Sequence, residues 1–168
     1  MKRLPLVFAC SGCSLAGRLA YDLAQEFDRR GMAEMSCLAG VGAGKSHFLK
    51  QLQGREVWII DGCSIECSLG VFKQVPGTAD VHIRLHELGV KKRSGAPPGW
   101  DMERLLDAAT KQVSEQRALK RCLTACELKD STARRSWSDD PPRELSSRDE
   151  GFSKSPHRTA VGGTLACS

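Results

Sequence analysis

No apolar stretch in this 168-residue chain approaches the roughly 20 residues that span a bilayer, which excludes a helical membrane span. Basic charge is not concentrated either. The net charge is +5, yet the part up to Ala96 carries 13 Lys and Arg against 9 Asp and Glu, and the remainder 12 against 11. Neither part offers the basic field expected of a nucleic-acid binder. Lys91-Lys92-Arg93 is too short to change that and reads as a solvated loop. The apolar segment behind Lys2-Arg3 runs only from Leu4 to Ala9, with Pro5 inside, and falls short of the roughly 7–15 residues of a signal peptide's core. Aromatic residues make up only 5% of the chain, while the hydrophobic fraction of 40% is ordinary. These absences leave a single domain with a modest core, expected in the cytoplasm and off the membrane.

What is abundant is cysteine, eight in all. A disulfide framework needs an oxidising compartment, so free or metal-bound thiols are expected instead. Five of them follow predicted strands. Leu6-Val7-Phe8, within residues 4–9, reads as a short buried strand leading to Cys10 and Cys13. Residues 33–36 lead to Cys37, and Val57-Trp58-Ile59-Ile60 leads to Cys63 and Cys67. The third strand is apolar without alternation, as a strand buried on both faces should be. Between strands, apolar residues at 15, 16, 19, 20, 23, 24 and 27 recur with helical period and stop at Gly31. A Gly-rich turn precedes a short helix over about 47–52, and another is predicted over about 65–74.

Residues 81–86 alternate, with Val81, Ile83 and Leu85 inward and His82, Arg84 and His86 outward, as in a half-exposed edge strand. Apolar positions 102, 105, 106, 109 and 113 predict a last amphipathic helix. The result is an α/β fold, a three-layer αβα arrangement around a small, mostly parallel four-stranded sheet with right-handed crossovers. The flavodoxin-like strand order 2-1-3-4 is preferred, because it puts Cys10 and Cys13 between Cys37 and Cys63 on strands about 4.8 Å apart. Ligands of such sheets bind at the C-terminal strand edge, so the five thiols are expected to converge there. The domain is expected over residues 1–116. Residues 117–168 are expected to be a poorly ordered tail, partly helical at its start, since from about Lys129 there is little apolar surface to offset ordering entropy.

Cys10-Ser-Gly-Cys13 and Cys63-Ser-Ile-Glu-Cys67 are paired at spacings suited to a thiolate-bound metal, with Cys37 as a further donor. Zinc is the expected ion; an iron–sulfur cluster on four thiolates, or a thiol-redox or sulfur-handling role without metal, are the alternatives. Against all three stands the possibility that small thiols simply fill buried positions. No catalytic base is evident, so whether the chain is an enzyme, and which protein partner or small molecule it meets, are not read from the sequence.

The segments Phe8-Ala-Cys-Ser-Gly-Cys-Ser14, Met35-Ser-Cys-Leu-Ala-Gly-Val-Gly-Ala-Gly44, Ile60-Asp-Gly-Cys63 with Cys67, and Leu88-Gly-Val-Lys-Lys92 resemble the DGC-domain family, named for its Asp-Gly-Cys motif. The resemblance covers roughly residues 4–113. It implies zinc chelation by the matched cysteines and implies no reaction. This chain departs from the family's pattern at Lys45-Ser46 and at Ser64-Ile65, departures that leave the cysteines intact.

A rival site overlaps the second of these segments. Residues 39–46, Ala-Gly-Val-Gly-Ala-Gly-Lys-Ser, fit a relaxed phosphate-binding Walker A pattern between a strand and a helix, with Val57-Trp-Ile-Ile-Asp61 in the place of a Walker B strand. Gly44 and the loop amides would cradle phosphates, Lys45 would reach the terminal phosphates and Ser46 would hold magnesium. The small domain and the short span from Lys45 to Asp61 argue against nucleotide binding. Among the remaining candidates, His82 and His86 would stand about 13 Å apart on a strand and are expected to be solvated. His47 is expected at the surface, Asp61 in a turn or behind a metal ligand, and Cys122, Cys126 and Cys167 without a role.

Overall fold

The computed structural model describes residues 3–12 and 14–135, with side chains described as far as Thr124. The apolar segments become strands β1 (Leu6–Ala9), β2 (Glu34–Met35), β3 (Val57–Asp61) and β4 (Val81–Arg84). All pairings are parallel, in the order β2-β1-β3-β4. The register sets Leu6 opposite both Glu34 and Val57, and Asp61 opposite Arg84. This is the expected order, and β1 and β3 at its centre are buried along their whole length.

Helix α1 (Leu15–Arg29) starts where Ser14 accepts the Gly17 N–H, and its buried stripe of Ala16, Ala20, Leu23, Ala24 and Phe27 follows the helical period read in the sequence. It packs with Val7, Ala9, Trp58, Ile60, Val81 and Ile83 on one face of the sheet, where Phe27 meets Trp58 edge-on at 5.6 Å. The other face, with Leu6, Phe8, Val57 and Ile59, is covered by α2 (Leu38–Gly42), α3 (Ser46–Leu52) and α4 (Cys67–Phe72). Helix α5 (Met102–Arg135) returns to the α1 face through Leu105, Leu106, Ala109 and Val113.

Three details depart from the sequence reading. The Gly-rich turn is partly helical, because the Cys37 side chain caps α2 by accepting the Gly40 N–H. The fourth strand ends at Arg84 and tightens into a 3-10 turn, Leu85–Leu88. His82 is not solvated. It points away from the α1 face, as the alternation requires, but into the face that carries α4, and it is 8% exposed.

The edge of β4 is not open either. Gln112 exchanges hydrogen bonds with the Arg84 N–H and carbonyl, and Gln116 does the same with His82. Helix α5 runs on past residue 116. Arg117 pairs with Glu56 at 2.6 Å and lies over the Trp58 ring, and Lys120 pairs with Asp80. The first compact unit of the chain ends at Asp130. The sheet and its helices up to Asp130 belong to the first unit. The tail expectation falls largely on residues outside the described ones, as do Cys167 and the side chain of Cys126.

Candidate metal centre

Each residue of Asp61-Gly62-Cys63 has a separate physical task. Asp61 closes β3 with its side chain fully buried, and both carboxylate oxygens are engaged. Oδ1 accepts the Ser68 N–H at 2.8 Å, and Oδ2 accepts the Leu69 N–H at 3.2 Å and meets His82 Nε2 at 2.9 Å. It thereby caps the first turn of α4 from the preceding strand. Burial pushes this carboxyl up, but the bonds from His82, Ser68 and Leu69 outweigh burial and hold it below the ordinary carboxylate range.

Gly62 lies against the start of α1, where a Cβ would stand 2.2 Å from the Ala16 carbonyl oxygen, so no larger residue fits. Its N–H donates to Cys10 Sγ at 3.2 Å. Cys63 then sits half-buried against the core, and Cys67 is the exposed first residue of α4.

Cys10, the first residue past β1, is 7% exposed. Burial pushes its thiol up; the Gly62 N–H pulls it down, and the charges of Asp61, Cys63 and Cys67 raise it further, leaving it above the usual thiol value. Cys63 and Cys67 are thus near enough to Cys10 to act on its ionisation. Cys37, at the end of β2, is exposed and is not among those charges. It lines a cavity of about 480 Å³ with Ser11, Tyr21, Met35, Phe48 and Gln51. Cys13 lies outside the described residues.

These donors suit a thiophilic divalent ion in kind, being thiols, and Cys10 and Cys37 each accept a backbone N–H that supports a thiolate. Among the described residues, no three His, Cys, Asp or Glu side chains stand close enough together to hold a metal ion.

The glycines of the Walker-like segment have local reasons. A Cβ on Gly40 would stand 2.3 Å from the Phe48 ring, and Gly44 takes a φ of +66°, which closes α2. The N–H groups of Gly40, Val41, Ala43, Gly44 and Lys45 are all taken up locally, by Cys37, Ala39, Val41 and Gly40. Such amides do not form a phosphate cradle as they stand. His47 is exposed, as expected, and shares a 3.1 Å hydrogen bond with Gln51.

Sequence reasoning missed His82, Arg84, Glu66 and Ser68 around the cysteine loop. Arg84 Nε donates to Glu66 Oε1 at 3.1 Å, and the buried Ser68 hydroxyl donates to the Ile60 carbonyl at 3.2 Å. The available signal was the strand register, which stands β4 beside the end of β3.

The DGC domain model matches residues 6–115 of the chain. The anaerobic and virulence modulator AnvM of Pseudomonas aeruginosa is 43% identical over 104 residues, which is 61% of this chain and 79% of that protein. No solved structure matches.

Proposed function

We propose that this chain, which belongs to the DGC-domain family, is a zinc-binding protein; the Cys10 thiol, which lies within electrostatic reach of Cys63 and Cys67, supports the reading. Its ligands are drawn from Cys10, Cys13, Cys37, Cys63 and Cys67. The observation that carries the reading is Cys10. It is a buried thiol whose sulfur accepts a backbone N–H, and whose ionisation is opposed first by burial and then by Asp61 and two more thiols nearby. A divalent cation would offset the cost of a buried thiolate and displace the thiol protons, so affinity rises with pH.

Bound zinc would supply charge neutralisation and a cross-link between strand ends. The chain's own residues do the rest. Gly62 N–H supports the Cys10 thiolate, Asp61 holds the start of α4, and the core packing of Cys63 fixes its loop against the sheet.

A modulating role extends to this chain the name of its Pseudomonas relative. In that role a protein partner or small molecule in the cytoplasm senses the metal-loaded state. The internally bonded amides of residues 40–45 weigh against the nucleotide alternative.

Elemental analysis with a thiol titration after anaerobic purification tests the proposal. About one zinc per chain with protected thiols is expected. Visible absorption with iron and sulfide would move the reading to an iron–sulfur cluster. A metal-free protein with every thiol reactive would overturn it in favour of thiol chemistry or plain packing.

A further inference from the structure

We propose that His82 and Arg84, neighbours on β4, are positioning residues for the cysteine loop that leaves β3. His82 acts through Asp61 and Arg84 through Glu66, and together they fix where Cys67 stands relative to Cys63 and Cys10. The inference rests on the metal-binding reading and adds to it two residues that carry no thiol and lie on a different strand.

The loop between Asp61 and Cys67 is short and poorly held by itself. Its internal backbone bond runs from the Glu66 N–H to the Cys63 carbonyl at 3.1 Å. Glu66 also takes the left-handed conformation, with φ and ψ both 52°, and among the described residues it is the one non-glycine with positive φ. A side chain disfavours that region, and such a residue persists where its surroundings over-determine it.

The surroundings come from β4 and from Asp61. Arg84 holds the Glu66 carboxylate on one side of the strained residue. On the other side, the N–H groups of Ser68 and Leu69 end on Asp61, immediately after Cys67. Asp61 is fully buried, and a buried carboxylate needs donors on each oxygen. His82 supplies a side-chain donor at 2.9 Å. A carboxylate only accepts, so the ring carries its hydrogen on Nε2. No partner faces Nδ1, so the contact with Asp61 is the polar task this buried ring has among the described residues.

The chain of contact is therefore His82 to Asp61 to the first turn of α4, with Cys67 in that turn, and in parallel Arg84 to Glu66. Held from both sides, the loop presents Cys63 and Cys67 with less ordering left to be done when an ion arrives.

The test uses the full chain with His82→Leu, His82→Gln and Arg84→Ala. Zinc affinity is measured by chelator competition, and amide hydrogen exchange is followed in the metal-free protein. His82→Leu is expected to bind zinc roughly 10–100-fold more weakly. Its exchange should quicken within residues 62–69 while α1 keeps the wild-type rate. His82→Gln, which can still donate to Asp61, should recover most of both. Arg84→Ala should shift both readouts in the same direction.

Wild-type affinity and exchange in a folded His82→Leu, or exchange accelerated throughout the molecule, would overturn the inference. Should His82→Leu fail to fold, Arg84→Ala decides, since that side chain is half-exposed and its loss leaves no buried group unpaired. If the wild-type protein takes up no zinc, the metal reading falls, and the local exchange comparison still decides whether β4 positions the loop.

Discussion

At Cys10 and Asp61 the same burial has opposite results, and hydrogen bonding is the reason. Cys10 gains a single N–H and keeps its proton more tightly than a free thiol; Asp61 gains two amides and a histidine and gives its proton up more readily. The folded Asp61 carboxyl lies below its unfolded value of about 3.9. It therefore contributes stability above that pH, and the contribution is lost as pH falls through the folded value. Melting temperature of the metal-free protein between about pH 2 and 6 should show this acid limb, shallower in Asp61→Asn. At neutral pH Asp61→Asn should cost about 1–3 kcal/mol, because a buried amide N–H or helix N–H loses its acceptor. Identical acid limbs in the two proteins would show that Asp61 is not the group responsible. For the thiols, Cys63→Ser should lower zinc affinity sharply, because a hydroxyl is a far poorer ligand for a soft site. Cys37→Ser should do so only if the β2 end joins the site, so comparing the two by chelator competition assigns Cys37.

Elements were more legible than the contacts between them. The helical period of residues 15–27 and the unbroken apolar run at Val57 to Ile60 name α1 and β3 because burial on one face, or on both, leaves a direct mark on residue order. The strand order followed from asking where the cysteines would meet. The Walker-like segment shows what a one-dimensional pattern leaves out. Its glycines match a phosphate loop by spacing, yet Gly40 is there to admit Phe48 and Gly44 to end α2. His82 was misplaced for a related reason, since alternation tells which residues share a face and not which helix covers it. The two readings of residues 39–46 separate by mutation. Gly40→Ala should cost about 1–3 kcal/mol through overpacking against the Phe48 ring. Lys45→Ala, on an exposed side chain with no hydrogen bond from it at the α3 cap, should stay within about 0.5 kcal/mol. ATP with magnesium should leave both melting temperatures where they were. Protection of the wild type by ATP, abolished in Lys45→Ala, would restore the nucleotide site.

Across the whole molecule, the parallel sheet has one long edge to protect, and α5 protects it with side chains instead of another strand. Gln112 and Gln116 lie one helical turn apart, and each supplies an amide that mimics a neighbouring strand's N–H and carbonyl. The match to the DGC family ends at residue 115, so the second glutamine, Arg117 and Lys120 extend the clamp beyond the segment that the family model covers. A chain ended after Gln116 would lose the Arg117 contacts with Glu56 and Trp58 and the Lys120 pair with Asp80, and would leave Gln116 in a fraying last turn. An exposed ion pair contributes about 0.2–1 kcal/mol, and a guanidinium over an indole ring about 0.5–1 kcal/mol. A weakened hydrogen-bond pair at His82 adds about 1 kcal/mol more. Together these predict a loss of about 2–4 kcal/mol for the chain ended at Gln116, against no comparable loss for one ended at Asp130, the limit of the first compact unit. Urea denaturation of the two truncated proteins beside the full chain measures the difference. Coinciding midpoints for all three would mean that Gln112 and the apolar stripe of α5 close the edge without help, and that the helix beyond residue 116 contributes nothing to the domain's stability.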